Sequence, residues 1–270
     1  MTSPPPGPRP PASIERIARL ADGDRTFYAL LLDDDRVQEI TDPFAGPGGA
    51  PGATGSPRDA AGLAWRPPCA PTKIVAVGRN YMAHVAELKH AAPPEPLLFL
   101  KPPSALLGTG GAIVLPPESR RVDYEGELAV VIGRRARRVP EERALDHVFG
   151  VACLNDVTAR DLQETDVQFT RAKGFDTFCP LGPCIARGLR LEDLVVETYV
   201  NGERRQSSPV ARMIFPVSRL IAFISGVMTL LPGDVIATGT PEGVGPLRPG
   251  DEVTVAIQGI GKLANRVTGD

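Results

Sequence analysis

From Asp123 to Gly133 the chain reads DYEGELAVVIG, with Glu125 and Glu127 two positions apart at the mouth of an unbroken apolar run. Residues i and i+2 of a strand face the same way, so the two carboxylates converge on one point. The run Leu128-Ala129-Val130-Val131-Ile132 reads as a buried strand that holds the pair rigidly. Burying two negative charges side by side is costly unless a cation lies between them. Hard oxygen ligands of this kind suit Mg²⁺, Mn²⁺ or Ca²⁺ better than zinc. On this stretch alone, an edge strand carrying two solvated acids fits equally well.

A chain of 270 residues can bury a large core as one domain, or as one domain with a small appendage. The net charge of −2 leaves no call for a nucleic-acid partner, and the basic run Arg134 to Arg138 reads as a solvated loop. Cys69, Cys153, Cys179 and Cys184 form no CxxC pair and complete no zinc site with histidine, so reduced thiols are expected. The N-terminal stretch MTSPPPGPRPPA has no apolar segment, and no signal peptide is expected from it. The longest apolar region, Leu220 to Leu231, is interrupted by Ser225, Gly226 and Thr229 and is too short to span a bilayer. The expectation is a soluble cytoplasmic protein with no membrane partner.

Residues 1–12 read as a disordered proline-rich tail, 13–42 as a small N-terminal β domain, 43–68 as a flexible linker and 69–270 as the main domain. A hairpin is expected about Asp22-Gly23-Asp24, and another about Asn201-Gly202. Further strands are expected at Lys73 to Val77, Leu97 to Lys101, Ala112 to Leu115, Val235 to Thr238 and Asp251 to Ile257. Helical spacing runs over Met82 to His90, Thr158 to Thr170 and Val217 to Leu230. Strands dominate without strict alternation with helices, which predicts an α+β fold.

His84 and Glu87 lie three apart on the first of these helices, so Glu87 can orient His84 as a general acid/base; an exposed surface pair fits the same spacing. Asp156 follows an apolar strand and precedes a helical stretch, as a third metal ligand or as an N-cap. Lys173 has apolar neighbours and can stabilise an anionic intermediate or simply form a salt bridge. The turn from Thr238 to Gly245 offers hydroxyls and N–H groups to a carboxylate, but it lacks the Lys of a Walker loop.

The stretches GRNYMAHVAE, LFLKPPSAL, DYEGELAVVIG, NDVTARDLQ, TRAKGFDTFCPLGP, VNGERRQ and LLPGDVIATGTPEGVGPL occur in this order across roughly residues 70–267. Together they resemble the fumarylacetoacetate hydrolase family. The resemblance implies a β-sandwich roll with a metal site, usually in a homodimer. It implies Glu125, Glu127 and Asp156 as ligands of Mg²⁺ or Mn²⁺, with Ca²⁺ as a substitute. It also implies Lys173, Gln163 and Thr240 as substrate contacts, to which Arg79 and Tyr81 are added from the first motif. The His84–Glu87 spacing is similar to that of small members that cleave acylpyruvates and decarboxylate oxaloacetate. The implied reaction is metal-dependent cleavage of a C–C bond in a small 2-oxo acid. The alternatives are isomerisation or decarboxylation of unsaturated 2-oxo or 2-hydroxy-dienoic diacids, and a non-catalytic metal-binding protein on the same fold.

Overall fold

The apolar run Leu128–Ile132 becomes the most deeply placed strand of the fold, because apolar layers cover both of its faces. A computed structural model describes residues 13–32, 35–46, 51–89 and 91–270. The proline-rich tail expected over 1–12 lies outside the described residues, as do His90 and residues 47–50 of the expected linker.

The N-terminal strands are β1 (Glu15–Asp22), β2 (Arg25–Leu31), β3 (Arg36–Ile40), β4 (Arg58–Asp59) and β5 (Ala64–Arg66). Next come β6 (Ile74–Gly78), helix α1 (Met82–Glu87), β7 (Leu97–Lys101), β8 (Leu106–Leu107) and β9 (Ala112–Leu115). The middle of the chain holds β10 (Val122–Tyr124), β11 (Gly126–Ile132), β12 (Val148–Asn155), β13 (Thr158–Ala159), α2 (Arg160–Thr165), α3 (Thr170–Gly174) and β14 (Cys179–Arg187). The remainder is β15 (Val195–Val200), β16 (Glu203–Pro209), α4 (Val217–Val227), β17 (Val235–Ala237), β18 (Gly245–Pro246), β19 (Glu252–Ile257) and β20 (Gly261–Gly269).

The main sheet runs β4-β3-β2-β1-β14-β12-β11-β17-β6-β7, with β5 beside β1 and β8 beside β14. A second sheet runs β16-β15-β19-β20-β9, and a small one β13-β10-β18. This strand-rich mixed architecture is the expected α+β class. No helix of the described residues is long and apolar enough to cross a membrane.

Every residue of β11 is buried. Leu128, Val130 and Ile132 pack with Val196, Val255 and Leu263 of the second sheet and with Leu220, Ile221 and Ile224 of α4. Ala129 and Val131 face the other way, in one apolar cluster with Ile74, Leu154 and Val235 of the same sheet and with Ile17, Ala105 and Phe149. Two-sided burial explains why the run is continuous rather than alternating. Each fully buried aliphatic side chain there contributes about 1.5–3 kcal/mol. Gly126 opens the strand because β15 crosses close by: a Cβ at that position would lie 1.9 Å from Thr198 Oγ1.

The hairpin expected about Gly23 is present, with Asp22 opposite Arg25, and β1 continues the main sheet by pairing with β14. The stretch expected as a linker carries β4, paired with β3, and β5, paired with β1. Asn201 and Gly202 both take positive φ, 53° and 81°, as a type I′ turn requires.

Three helices are shorter than expected. α1 stops at Glu87, with Leu88 already outside the helix. The expected Thr158–Thr170 helix divides, because Thr158 and Ala159 pair with β10 and Val167 has no core to face, being 93% exposed. α4 stops at Val227, because Leu230 exchanges backbone hydrogen bonds with Ala136 instead. β17 ends at Ala237 rather than Thr238, whose hydroxyl turns to the carbonyl of Leu128.

The topology gathers strand ends at one place. β11 runs antiparallel to both β12 and β17, and β17 runs parallel to β6. The start of β11 therefore lies beside the ends of β12, β17 and β6, and the residues just past those ends converge on Glu125 and Glu127.

Candidate active site

Glu125 sits between β10 and β11, Glu127 on β11, and Asp156 just past β12. The register of β11 and β12 sets Gly126 opposite Asn155, which brings Asp156 to Glu125; the Asp156 amide donates to the Glu125 carbonyl at 2.8 Å. The Asn155 side chain fixes the same corner by accepting from the Glu125 amide at 2.9 Å. One carboxylate oxygen from each of the three acids lies within 4.8 Å of the others, and all three side chains are buried.

Buried cations answer two of these acids. Lys173 Nζ donates to Glu125 Oε2 at 2.8 Å and to Asp156 Oδ2 at 2.6 Å. Arg160 donates to Glu125 Oε1 at 2.5 Å and to Asp123 Oδ2 at 3.0 Å. Lys101, at the end of β7, pairs with Asp156 Oδ1 at 2.7 Å and caps the carbonyls of Lys173 and Val157. Burial alone would raise the Glu125 pKa, but Lys173 and Arg160 outweigh it and hold the carboxyl well below the usual range. Burial likewise works against the Lys173 ammonium, and Asp156 and Glu125 more than restore its charge.

Glu127 is different. Among the described residues its one hydrogen-bonding partner is the Gly239 amide, 2.8 Å from Oε2. Burial, then repulsion from Asp156 and Glu125, pushes its pKa well up. Three carboxylates converge, and among the described residues Glu127 forms no ion pair, with Lys173 acting on it only from a distance. The all-oxygen donor set fits a hard divalent cation placed among them.

His84 of α1 is buried on the wall of the same cavity, a space of about 450 Å³. Its Nδ1 lies 3.1 Å from Glu87 Oε2. Glu87 Oε1 accepts the Gly243 amide at 3.0 Å, and the Gly243 carbonyl accepts the Tyr124 hydroxyl at 2.8 Å.

Of the substrate contacts expected from sequence, Arg79, Gln163 and Thr240 line this cavity. Gln163 Oε1 accepts from Arg160 at 2.6 Å, and the Thr240 hydroxyl donates to the Gly126 carbonyl at 2.9 Å. Tyr81 is 1% exposed and is not part of the lining; its backbone forms a bridge to Met213. Arg79 takes φ +58°, a left-handed conformation that costs a non-glycine residue of order 1 kcal/mol or more. Buried Asn80 holds it there, donating to the carbonyls of Thr238 (2.7 Å) and Phe215 (3.1 Å) and accepting the Phe215 amide (2.8 Å).

Sequence reasoning missed Lys101, Asp123, Arg160 and Gln206. A lysine ending the apolar strand before Pro102-Pro103 was the readable signal for Lys101. Gln206 could not be anticipated, because it reaches the site from the second sheet, bonding the Gly126 amide and the Thr240 hydroxyl at 3.0 and 2.8 Å.

Residues 73–268 match the family described as fumarylacetoacetate (FAA) hydrolase C-terminal. A mitochondrial oxaloacetate tautomerase of Arabidopsis thaliana is 46% identical over 198 residues, covering 71% of this chain and 89% of that protein. A 5-carboxymethyl-2-hydroxymuconate delta-isomerase structure from Mycobacterium smegmatis superposes with a TM-score of 0.87 at 44% identity, covering 94% of this chain and all of that one. Fumarylpyruvate hydrolase from Pseudomonas aeruginosa, solved with Mn²⁺ and pyruvate, gives a TM-score of 0.70 at 32% identity over 77% of this chain and 92% of that one.

Proposed function

The chain belongs to the fumarylacetoacetate hydrolase family, and on that premise we propose a divalent-metal-dependent enzyme that acts on a small 2-oxo acid by proton transfer through His84. The observation that carries this reading is buried His84, held by Glu87 and opening onto the same cavity as the Glu125–Glu127–Asp156 cluster.

Glu125, Glu127 and Asp156 would hold Mg²⁺ or Mn²⁺, which when bound supplies Lewis acidity toward the keto oxygen and carboxylate of the substrate. Lys173 adds a buried positive charge at the same end, where negative charge develops on the substrate. Gln163 gives its amide oxygen to Arg160, which leaves its amide nitrogen as the group that donates to the substrate. With the Glu87 carboxylate on Nδ1, the imidazole carries its proton there, and Nε2 is the basic nitrogen.

His84 Nε2 then takes a proton from the carbon beside the oxo group and the imidazolium delivers it to the oxo oxygen, giving the enol; the reverse path, from oxygen to carbon, gives the keto form. The tautomerase and isomerase named above, both above 40% identity, support this step. The same base also suits the cleavage reading, supported by the fumarylpyruvate hydrolase neighbour. There His84 deprotonates a water that attacks the distal carbonyl, the C–C bond breaks, and the departing carbon recovers the proton from the imidazolium.

One experiment tests both readings. Metal-stripped protein, with and without Mn²⁺ or Mg²⁺, is assayed for enol–keto conversion of oxaloacetate and for pyruvate release from acetylpyruvate and fumarylpyruvate. Metal-dependent conversion without pyruvate release supports the tautomerase, and metal-dependent pyruvate release supports cleavage. No metal-dependent change in any of the three substrates would sink the proposal.

A further inference from the structure

The guanidinium of Arg160 is divided between two carboxylates. Nε and Nη2 lie on one edge of the group, a pair of donors that forks most strongly onto a single carboxylate. Here Nε goes to Asp123 Oδ2 at 3.0 Å and Nη2 to Glu125 Oε1 at 2.5 Å, while Nη1 meets Gln163 Oε1 at 2.6 Å. Glu125 therefore receives a single N–H from Arg160. Its other oxygen, Oε2, accepts from Lys173 Nζ, which also holds Asp156 Oδ2.

Asp123 is a fixed point in the fold. Its backbone lies in β10, opposite Thr158 of β13 on one side and Pro246 of β18 on the other. Its side chain is wholly buried, and the more exposed Arg121 forks onto it at 3.0 and 3.2 Å. Arg160 is tied to the same place by its main chain, since its amide donates to the Arg121 carbonyl at 2.7 Å. Glu125 and Gln163 alone would already give the buried guanidinium partners. What Asp123 adds is the direction in which the Nε–Nη2 edge points.

We infer that Asp123 is a positioning residue for the acidic cluster: by holding Nε it keeps Arg160 from forking onto Glu125, and so keeps Glu125 turned to Asp156 and Glu127. Without Asp123, Arg160 closes both donors on Glu125 and draws that acid away from the other two. Asp123 lies outside the cavity lining and acts only through Arg160. This rests on the reading of the cluster as a Mg²⁺ or Mn²⁺ site given above.

Titration calorimetry of Mn²⁺ into metal-stripped protein tests it as a double-mutant cycle, without requiring turnover. Asp123→Asn, or Asp123→Ala should the first not fold, is expected to weaken Mn²⁺ binding about tenfold or more, the usual cost of losing a group that orients a metal ligand. Arg160→Lys, whose ammonium has no fork, and Arg160→Met should bind Mn²⁺ no worse than about threefold below the wild type. In either background, replacing Asp123 should change the affinity by less than about threefold. Equal weakening in all backgrounds would mean that Asp123 acts by its own negative charge. Unchanged affinity in the Asp123 variant, even with a lower melting temperature, would leave Asp123 a structural ion pair. Weak binding in both Arg160 variants would mean that the cluster needs the guanidinium itself. Each of these three results overturns the assignment while leaving the metal reading intact. Failure of the wild type to bind Mn²⁺ or Mg²⁺ overturns that reading, and the Asp123 assignment with it.

Discussion

The amide of Gly243 lies 3.0 Å from Glu87 Oε1, so the carboxylate that orients His84 is itself held by a loop from the far side of β17. The loop is in turn fixed by the Tyr124 hydroxyl on the Gly243 carbonyl. Tyr124→Phe removes only that last bond. It should lower turnover several-fold with little change in substrate KM, and it should have no further effect in a Glu87→Ala background. Steady-state kinetics of the two single variants and the double variant check the coupling; full additivity would refute it.

His84 lies outside the acidic cluster but on the same cavity wall. His84→Ala is expected to reduce turnover by about 10²–10⁴-fold, the usual worth of a positioned acid/base. Mn²⁺ affinity should stay within about twofold, since no cluster ligand is removed. Calorimetric metal titration beside the activity assay decides it, and parallel loss of both would assign His84 to the metal.

Glu127 is the cluster acid that forms no ion pair among the described residues, and its raised pKa sets the sign of a pH effect. The folded, metal-free protein holds this proton more tightly than the unfolded chain does. The resulting stability is present at low pH and falls as pH rises from the ordinary carboxylate range through the raised folded value. Glu125, with its lowered pKa, acts in the opposite sense, at lower pH. EDTA-treated protein should therefore lose thermal stability from mildly acidic pH upward, and Mn²⁺ should restore it while releasing a proton. Glu127→Gln should flatten the metal-free profile and abolish the stabilisation by metal. Thermal melts across pH, with and without Mn²⁺, provide the comparison.

Lys101 is wholly buried against Asp156. Replacing it with Met leaves Asp156 with Lys173 as its remaining cation, and breaking a buried pair of this kind costs about 3–5 kcal/mol. The denaturation midpoint should fall accordingly. A loss under about 1 kcal/mol would show that the pair contributes little.

Gly126→Ala is expected to be severely destabilising, because the new methyl group meets Thr198 Oγ1. Adding Thr198→Ala should recover part of the loss. Equal melting temperatures for Gly126→Ala and the double variant would mean that the strands part instead.

The acidic floor was legible in the sequence because its cause is local. Glu125 and Glu127 share a face through strand alternation, and the run after them announces a buried strand. The hairpin turn at Asn201-Gly202 was equally readable, since positive φ at both positions calls for such residues. What stayed hidden depends on contacts remote in sequence. Lys101 meets Asp156 from 55 positions away, and Gln206 arrives from another sheet. The helix boundaries moved for the same reason: Leu230 pairs with Ala136, and Thr158 with Asp123, contacts that override helical spacing.

The acids stand on or next to the ends of two long strands that are buried almost throughout, whereas Arg79, His84, Gln163 and Phe169 stand on short turns and on helices of six residues. The floor is thus built like masonry, and the rim like fittings attached to it. A change at the rim need not disturb the register of β11 and β12, so the preference for one substrate or another can be altered without dismantling the chemistry. A library confined to residues 79, 88, 97, 163 and 169 is therefore the place to look for new specificities in this scaffold.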